Sequence, residues 1–514
     1  MREWNCLAFT LLIALVAASS ACAGVKDELH IAVNAEPATY DLARTTATVA
    51  YQMVGGNVFE KLVGIDENYN VRPELAEVIE VSSDFTKYTY KLRRGVLFHN
   101  GQEMKADDVV ASMNRWLDSG MVKSAVGPAK FKKVNDYTVA IDLDAPVLTF
   151  NKLVSSMHPA PIIVPKSVVD KADAKSGMIN EYIGTGPYMV DEIAPSDYLQ
   201  LKAFDKYHPY GTKGVCSGWV GYKEAKTPTV VFHFVGDGAT RVVGIQMAEY
   251  DIAMQLPIDS YGEFNGNDSY MVLKEPLGDV ALIYNKKAGV ASNEVFRQAV
   301  NAALNCGDIM RIACARDDFY KLTPSFVGDS HSFWYTEVGR EYYNAANASK
   351  AKELLIKANY SGEPFRLLVS PQYVEFYNAA IVIEQELKNI GVNVKLDVVD
   401  WPAYLIESKD PKAYDAFITG FAEWTAPAQI AYLNPAWNGW SDDEHLAHLM
   451  ENCAHATTPQ DAKRYWEEVQ SYCWSDYVPV SKFGNRYTYN IASSRVKGLI
   501  FFEGPHMWNV TVEE

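Results

Sequence analysis

Few residues in this chain are spaced for bond-making chemistry. No HExxH zinc motif occurs. The one string of nucleophile-elbow type, at 214–218, centres Cys216 in a Gly- and Lys-rich stretch without a strand before it and a helix after it. His445 and His448 lie one helical turn apart, as paired metal ligands do, with Cys453 and His455 close behind. The same spacing suits an amphipathic helix with Leu446 and Leu449 turned inward, and that reading is adopted. No catalytic residue and no metal ligand is therefore assigned. Recognition chemistry is better supplied. Phe421, Glu423 and Trp424 stand in "GFAEWTAP", Trp401 and Tyr404 in "DVVDWPAYL", and Trp437 and Trp440 follow. Flat aromatic faces hold side chains, sugar rings or cations. Trp437 and Trp440 suit a core as well as a pocket.

Both aromatic strings follow strand-like runs, so the elements before them decide where they point. "FRLLV" reads as a strand. Phe376, Ala380, Ile383, Leu387 and Ile390 recur at helical spacing, Gly391 ends that helix, and Val392, Val394, Leu396 and Val398 alternate as a second strand. This βαβ pattern requires parallel strands, and ligands lie beyond the carboxyl ends of such strands. A further strand is expected over 414–419, ending at Gly420. Nearer the start, Leu29, Ile31 and Val33 alternate up to Pro37. A hairpin is expected from 76–81 and 86–92 around Ser82-Ser83-Asp84, with Tyr88, Tyr90 and Leu92 on one face and a helix over 109–116. Gly184 and Gly186 are read as a turn needing free φ, residues 205–227 as a surface loop, and Ser292 as the cap of a helix in which Arg297 is structural.

Composition bounds the rest. Hydrophobic residues make up 48% of the chain, enough for a large core. Arg2, the apolar run 7–18 and Ala21-Cys22-Ala23 form an export signal, with cleavage expected after Ala23 and lipid attachment at Cys22 as the alternative. The remaining chain, roughly 490 residues, implies two or three structural units. The net charge of −17, 47 cations against 64 anions, argues against nucleic acid or an anionic membrane as partner. Five cysteines follow the signal. On proximity alone Cys306 is expected to pair with Cys314 and Cys453 with Cys473, leaving Cys216 free.

The strings "VRPELAEV", "KYTYKLRRGVLFHNGQEMKADDVVAS" and "GTGPY" resemble the family 5 extracellular solute-binding proteins, the peptide and nickel receptors of ABC importers. Lys105 departs from that pattern, where the family has Ser or Thr as helix cap. The resemblance implies an α/β, periplasmic-binding-protein-like fold: two lobes with a hinge and an extra subdomain in the first lobe. The first lobe would take residues 24–277, the second 278–483, and the chain would return over 484–514. It also implies a periplasmic or extracytoplasmic monomer without cofactor, closing on a peptide or amino-acid-derived ligand and delivering it to ABC permease subunits. An oligosaccharide or chelated-nickel receptor is the alternative on this scaffold, and a periplasmic enzyme or peptide-holding chaperone the alternative of another class. By the same resemblance Trp401 matches a pocket-lining Trp, and Phe421 stands where the family has Trp. The family's ammonium-binding Asp falls at Trp424, one residue after Glu423, which serves in its place only if the loop is shifted by one residue; an ammonium buried alone costs several kcal/mol. No Arg between Leu367 and Leu387 supplies the dipeptide carboxylate clamp. The expected ligand contacts are Tyr40, Trp401, Tyr404, Phe421, Glu423, Trp424 and Asn438.

Overall fold

The computed structural model describes residues 24–514 except 120–121, 124–125, 158, 329–332 and 425. The export signal, with Cys22, lies outside the described residues. Two long strands, Tyr270–Tyr284 and Val480–Ser493, organise the remainder. They pair antiparallel from Tyr270 opposite Ser493 to Ile283 opposite Val480. Val280 to Tyr284 are all fully buried, as a continuous apolar strand run covered on both faces must be. This pair forms the middle of one mixed sheet that runs through both lobes. Beyond Tyr270–Tyr284 come Ala416–Gly420, Phe365–Val369 and Val394–Val398; beyond Val480–Ser493 come Ile252–Ala253, Glu28–Val33, Thr229–Phe234, Tyr198–Ala203 and Tyr188–Ala194.

The βαβ unit of the second lobe follows its sequence pattern. Phe365–Val369 and Val394–Val398 are parallel, joined by the helix Val374–Asn389, whose Phe376, Ala380, Ile383 and Leu387 face the core. Gly391 takes φ of 97°, the left-handed conformation that ends a helix without a Cβ penalty. The extra subdomain is a separate antiparallel sheet ordered Ala76–Val81, Lys87–Leu92, Thr138–Asp142, Phe131–Asn135. Tyr88, Tyr90 and Leu92 bury one face of it against Val109, Met113 and Trp116 of the helix Ala106–Leu117. Lys105 offers that helix no side-chain cap. Asp108 compensates, its carboxylate accepting the backbone N–H of Lys105 at 3.0 Å and of Lys166 at 2.8 Å.

Several local expectations are corrected. The helix Glu294–Ala303 is capped by Asn293, whose side chain accepts from Val295 and Phe296 N–H, while the Ser292 hydroxyl donates back to Gly289. Gly184 and Gly186 are required by space, not by φ: a Cβ at either would overlap the carbonyl of Val58 or Asn57. The stretch 205–227 is not all surface, since Trp219, Lys223 and Thr227 are buried. Arg297, by contrast, is structural as expected: its guanidinium donates to the carbonyls of Tyr477, Val478, Ala291 and Ser292.

The cysteine pairing is also overturned: Cys216, Cys306, Cys314, Cys453 and Cys473 are all free thiols. Cys306 opens and Cys314 closes one helix, Cys306–Cys314. Eight residues of helix separate them by about 12 Å, well beyond disulfide reach. Cys453 faces the Ala462 carbonyl at 3.5 Å on the helix Pro459–Ser475, and Cys473 lies about 16 Å further along that helix. Burial holds the Cys306 and Cys453 thiols up to about 12, so none of this set is poised to react. Chain lacking residues 1–23 should therefore give five titratable thiols in denaturant without reductant. A count of three or one would mean that a disulfide forms.

Candidate functional site

The loop after the strand Ala416–Gly420 is laid directly over the long strand Tyr270–Tyr284, the crossing strand of the sheet. Phe421 N–H donates to the Asp279 carbonyl at 2.9 Å. Gly278, at φ of 92°, permits this approach, because a Cβ there would collide with the Phe421 carbonyl. The loop so held forms one wall of a cavity of about 490 Å³, within the usual size of small-ligand sites. Thr46, Tyr69, Lys152 and Ser155 to Met157 line it from the first lobe, Lys274 to Pro276 from the crossing strand, Gly420 to Trp424 from the second lobe, and Phe501 to Glu503 from the C-terminal segment.

Charge inside the cavity is set by burial. Glu275 is 5% exposed, and its two oxygens accept from Gln52 Nε2 at 2.8 Å and Asn490 Nδ2 at 3.1 Å. Neither partner carries charge. Burial pushes its carboxyl up to about 7, the amides pull it down, and the nearby Glu503 adds to the rise. Glu503 is also pushed up by burial, opposed by Trp219 Nε1, which donates to it at 3.2 Å, and by the Lys61 ammonium. Lys61 is buried and pulled down to about 8, with Glu74 opposing. It donates to Tyr51 Oη at 2.9 Å and to the carbonyl of Ser155 at 2.7 Å, fixing a segment of the cavity wall. Lys274 is turned away, its ammonium donating to Asp318 at 3.0 Å.

Of the residues expected at the site, Phe421, Glu423 and Trp424 line this cavity together. The Phe421 and Trp424 rings lie 5.2 Å apart, and Phe421 meets Tyr432 and Trp437 at 5.3 and 5.4 Å. The other four do not line it. Tyr40 is buried in the first-lobe core with its ring edge-on to Tyr182. Trp401 opens the helix Trp401–Glu407, capped by Asp400, and stacks on Tyr404 at 4.7 Å. Tyr404 is buried and its hydroxyl donates to the Ile418 carbonyl at 2.7 Å. Asn438 Nδ2 donates to Ser408 Oγ at 3.3 Å. The Tyr404 hydroxyl and the Asn438 amide donor are so occupied, whereas the buried Tyr40 hydroxyl has no hydrogen-bond partner among the described residues. Trp437 packs on Phe417 and Trp440 stacks over Tyr414.

Glu275, Glu503 and Lys152 bring charge to the cavity beside Glu423 and Lys274 and were missed by sequence reasoning. Their segments are far apart in the chain, and only the glutamate beside Pro276 in a strand-like run gave a hint. Elsewhere, His445 meets the Tyr472 ring, His448 meets Asn452, and His455 meets the Pro146 carbonyl. Among the described residues no group of three His, Cys, Asp or Glu side chains is placed to hold a metal ion. Among them, too, no helix is long and apolar enough to cross a membrane.

Comparison with known proteins places this chain in a familiar scaffold. The chain is 26% identical over 490 residues to the "Probable peptide ABC transporter periplasmic-binding protein y4tO" of Sinorhizobium fredii, covering 92% of this chain and 91% of that one. It is 24% identical to the "Glutathione-binding protein GsiB" of Escherichia coli, covering 90% of each. The fold matches a dipeptide-binding protein of Pseudoalteromonas sp. SM9913, solved with Met-Leu, at a TM-score of 0.77 and 18% identity, covering 95% of this chain and all of that one. Residues 70–442, well over half of the chain, match the model of bacterial extracellular solute-binding proteins, family 5 Middle, and the chain belongs to that family.

Proposed function

We propose that the protein is the receptor of an ABC importer, holding a short peptide or amino-acid-derived ligand between its lobes and delivering it to the permease. The observation that carries this reading is the cavity itself. It is bounded by both lobes and by the crossing strand, and it offers aromatic faces and carboxylates. Ligand contacts to both lobes favour the closed arrangement, which is how a binding event becomes a shape change the permease can read. The lobes divide at about residues 278 and 483, inside the paired strands, so that closure bends the strand pair near Gly278. Phe421, Glu423 and Trp424 are the contacts from the second lobe. The mature chain is exported and acts outside the cytoplasm as a monomer.

Native mass spectrometry of protein purified without refolding tests the reading: a retained mass of a peptide or amino-acid derivative supports it, and a retained oligosaccharide overturns it. Trp424→Ala removes an aromatic face from the ligand wall. Losing about 1.5–3 kcal/mol of burial should weaken binding of the retained ligand roughly 10–100-fold, read by calorimetry. Unchanged affinity would remove this loop from the site.

A further inference from the structure

The family's loop carboxylate for an ammonium is absent at Trp424, yet the cavity holds a buried carboxylate elsewhere. Glu275 projects from the crossing strand into the cavity wall, 5% exposed. Among the described residues, the groups that bond to or act on its carboxylate are neutral or negative: Gln52 from the helix Thr48–Val54, Asn490 from the strand Val480–Ser493, and Glu503 from the C-terminal segment. Its chain neighbour Lys274 is bound to Asp318. Lys61 and Lys152 act on Glu503, not on Glu275. The two amides fix the carboxylate without neutralising it. A buried carboxylate held by amides, with no cation, on the wall of a cavity that also offers the faces of Phe421 and Trp424, is the electrostatic counterpart of a ligand cation.

Resting on the reading of this cavity as the peptide site, we propose that Glu275 is the seat for a positively charged nitrogen of the ligand, an ammonium or guanidinium. The charge anchor has thus moved from the second-lobe loop to the strand that crosses between the lobes. Because Asn490 on the paired crossing strand holds one of its oxygens, the cation is read at the hinge itself. Glu503 adds negative potential beside it. A ligand without a cation leaves Glu275 buried and uncompensated, so the site selects against neutral and anionic isosteres.

The charged nitrogen can be a peptide α-amino group or a Lys or Arg side chain, and three probe pools separate these sources. The first contains free dipeptides, the second Nα-acetylated dipeptides lacking Lys and Arg, and the third Nα-acetylated dipeptides containing Lys or Arg. Binding is read by native mass spectrometry and calorimetry on wild type and Glu275→Gln. Expected is binding from the first pool, the third or both, none from the second, and a loss of tenfold or more in Glu275→Gln. Wild-type affinity should also fall as pH drops below about 7, where Glu275 takes up a proton, and that dependence should vanish in the variant. Retention of the pH dependence would point to another group even if the variant folded poorly. Equal binding of the second pool, or an unaffected variant, overturns the cation seat and leaves the peptide site standing. Binding from none of the pools overturns the peptide reading and this assignment with it.

Discussion

Replacing Lys223 with methionine is expected to cost about 3–5 kcal/mol of stability, because it leaves buried carboxylates without their cation. Lys223 is 1% exposed, and its ammonium lies 2.6 Å from Glu74 Oε1 and 3.4 Å from Glu60 Oε1, both buried. Burial alone pulls its pKa down, yet Glu74 and Glu60 together hold it above the usual lysine value. Glu60 has further donors in Tyr207 and Thr185, each at 3.0 Å, and Glu74 accepts the Lys61 N–H at 3.0 Å. Those bonds orient the carboxylates without removing their charge. The cluster joins the segment 205–227 to the start of the extra subdomain, so its loss loosens one unit from another. Urea unfolding of Lys223→Met, Glu74→Gln and the double variant checks the account. Lys223→Met should be the worst of the three, and the double variant should recover part of its loss, since one orphaned charge has gone with the cation. Additive losses would mean that packing, and not charge, sets the cost.

That cluster illustrates what the sequence hides. The segment 205–227 looks like surface because its Gly, Lys and Tyr residues show no period, and a lysine is the residue type least expected inside. Only the return of two glutamates some 150 residues upstream makes its burial possible, and no local pattern encodes that meeting. Periodic elements behave differently. The βαβ unit of the second lobe and the hairpin 76–92 are legible because their side-chain alternation is fixed by which face meets the core. The site divides along the same line. Phe421, Glu423 and Trp424 follow a strand end, a position defined by one short stretch of chain. Trp401 also follows a strand, but Asp400 caps a helix there and stacks its ring on Tyr404, a choice the aromatic pattern does not reveal. Glu275 and Glu503 share a wall only because the crossing strand and the C-terminal segment meet in space. The cysteines were misplaced for a related reason: nearness in sequence becomes distance once a helix intervenes.

Glu275 also makes the stability of the unliganded protein depend on pH, and Glu275→Gln should abolish that part of the dependence. The folded carboxyl titrates near 7, against 4.5 for its ordinary value, so the folded state binds the proton more tightly than the unfolded chain does. The stabilisation from this proton is complete below about 4.5 and is lost as pH rises to about 7, on the order of 3 kcal/mol across the window. Asp279, pushed up to about 6 by burial, Glu386, pushed up to about 7 by burial, and Glu503, also raised by burial, act in the same sense, so wild type declines through the window for several reasons at once. Glutamine keeps the size of the side chain and cannot ionise, so the variant isolates one of them. At pH 8 Glu275→Gln should unfold at a higher urea concentration than wild type, and at pH 4.5 the two should nearly coincide. The same variant that gains stability is expected to lose ligand, because the buried charge that destabilises the empty cleft is the charge a bound cation would satisfy. A urea midpoint difference equal at both pH values would show that Glu275 is not ionised in the empty cleft, and the electrostatic link between hinge and ligand would fail with it.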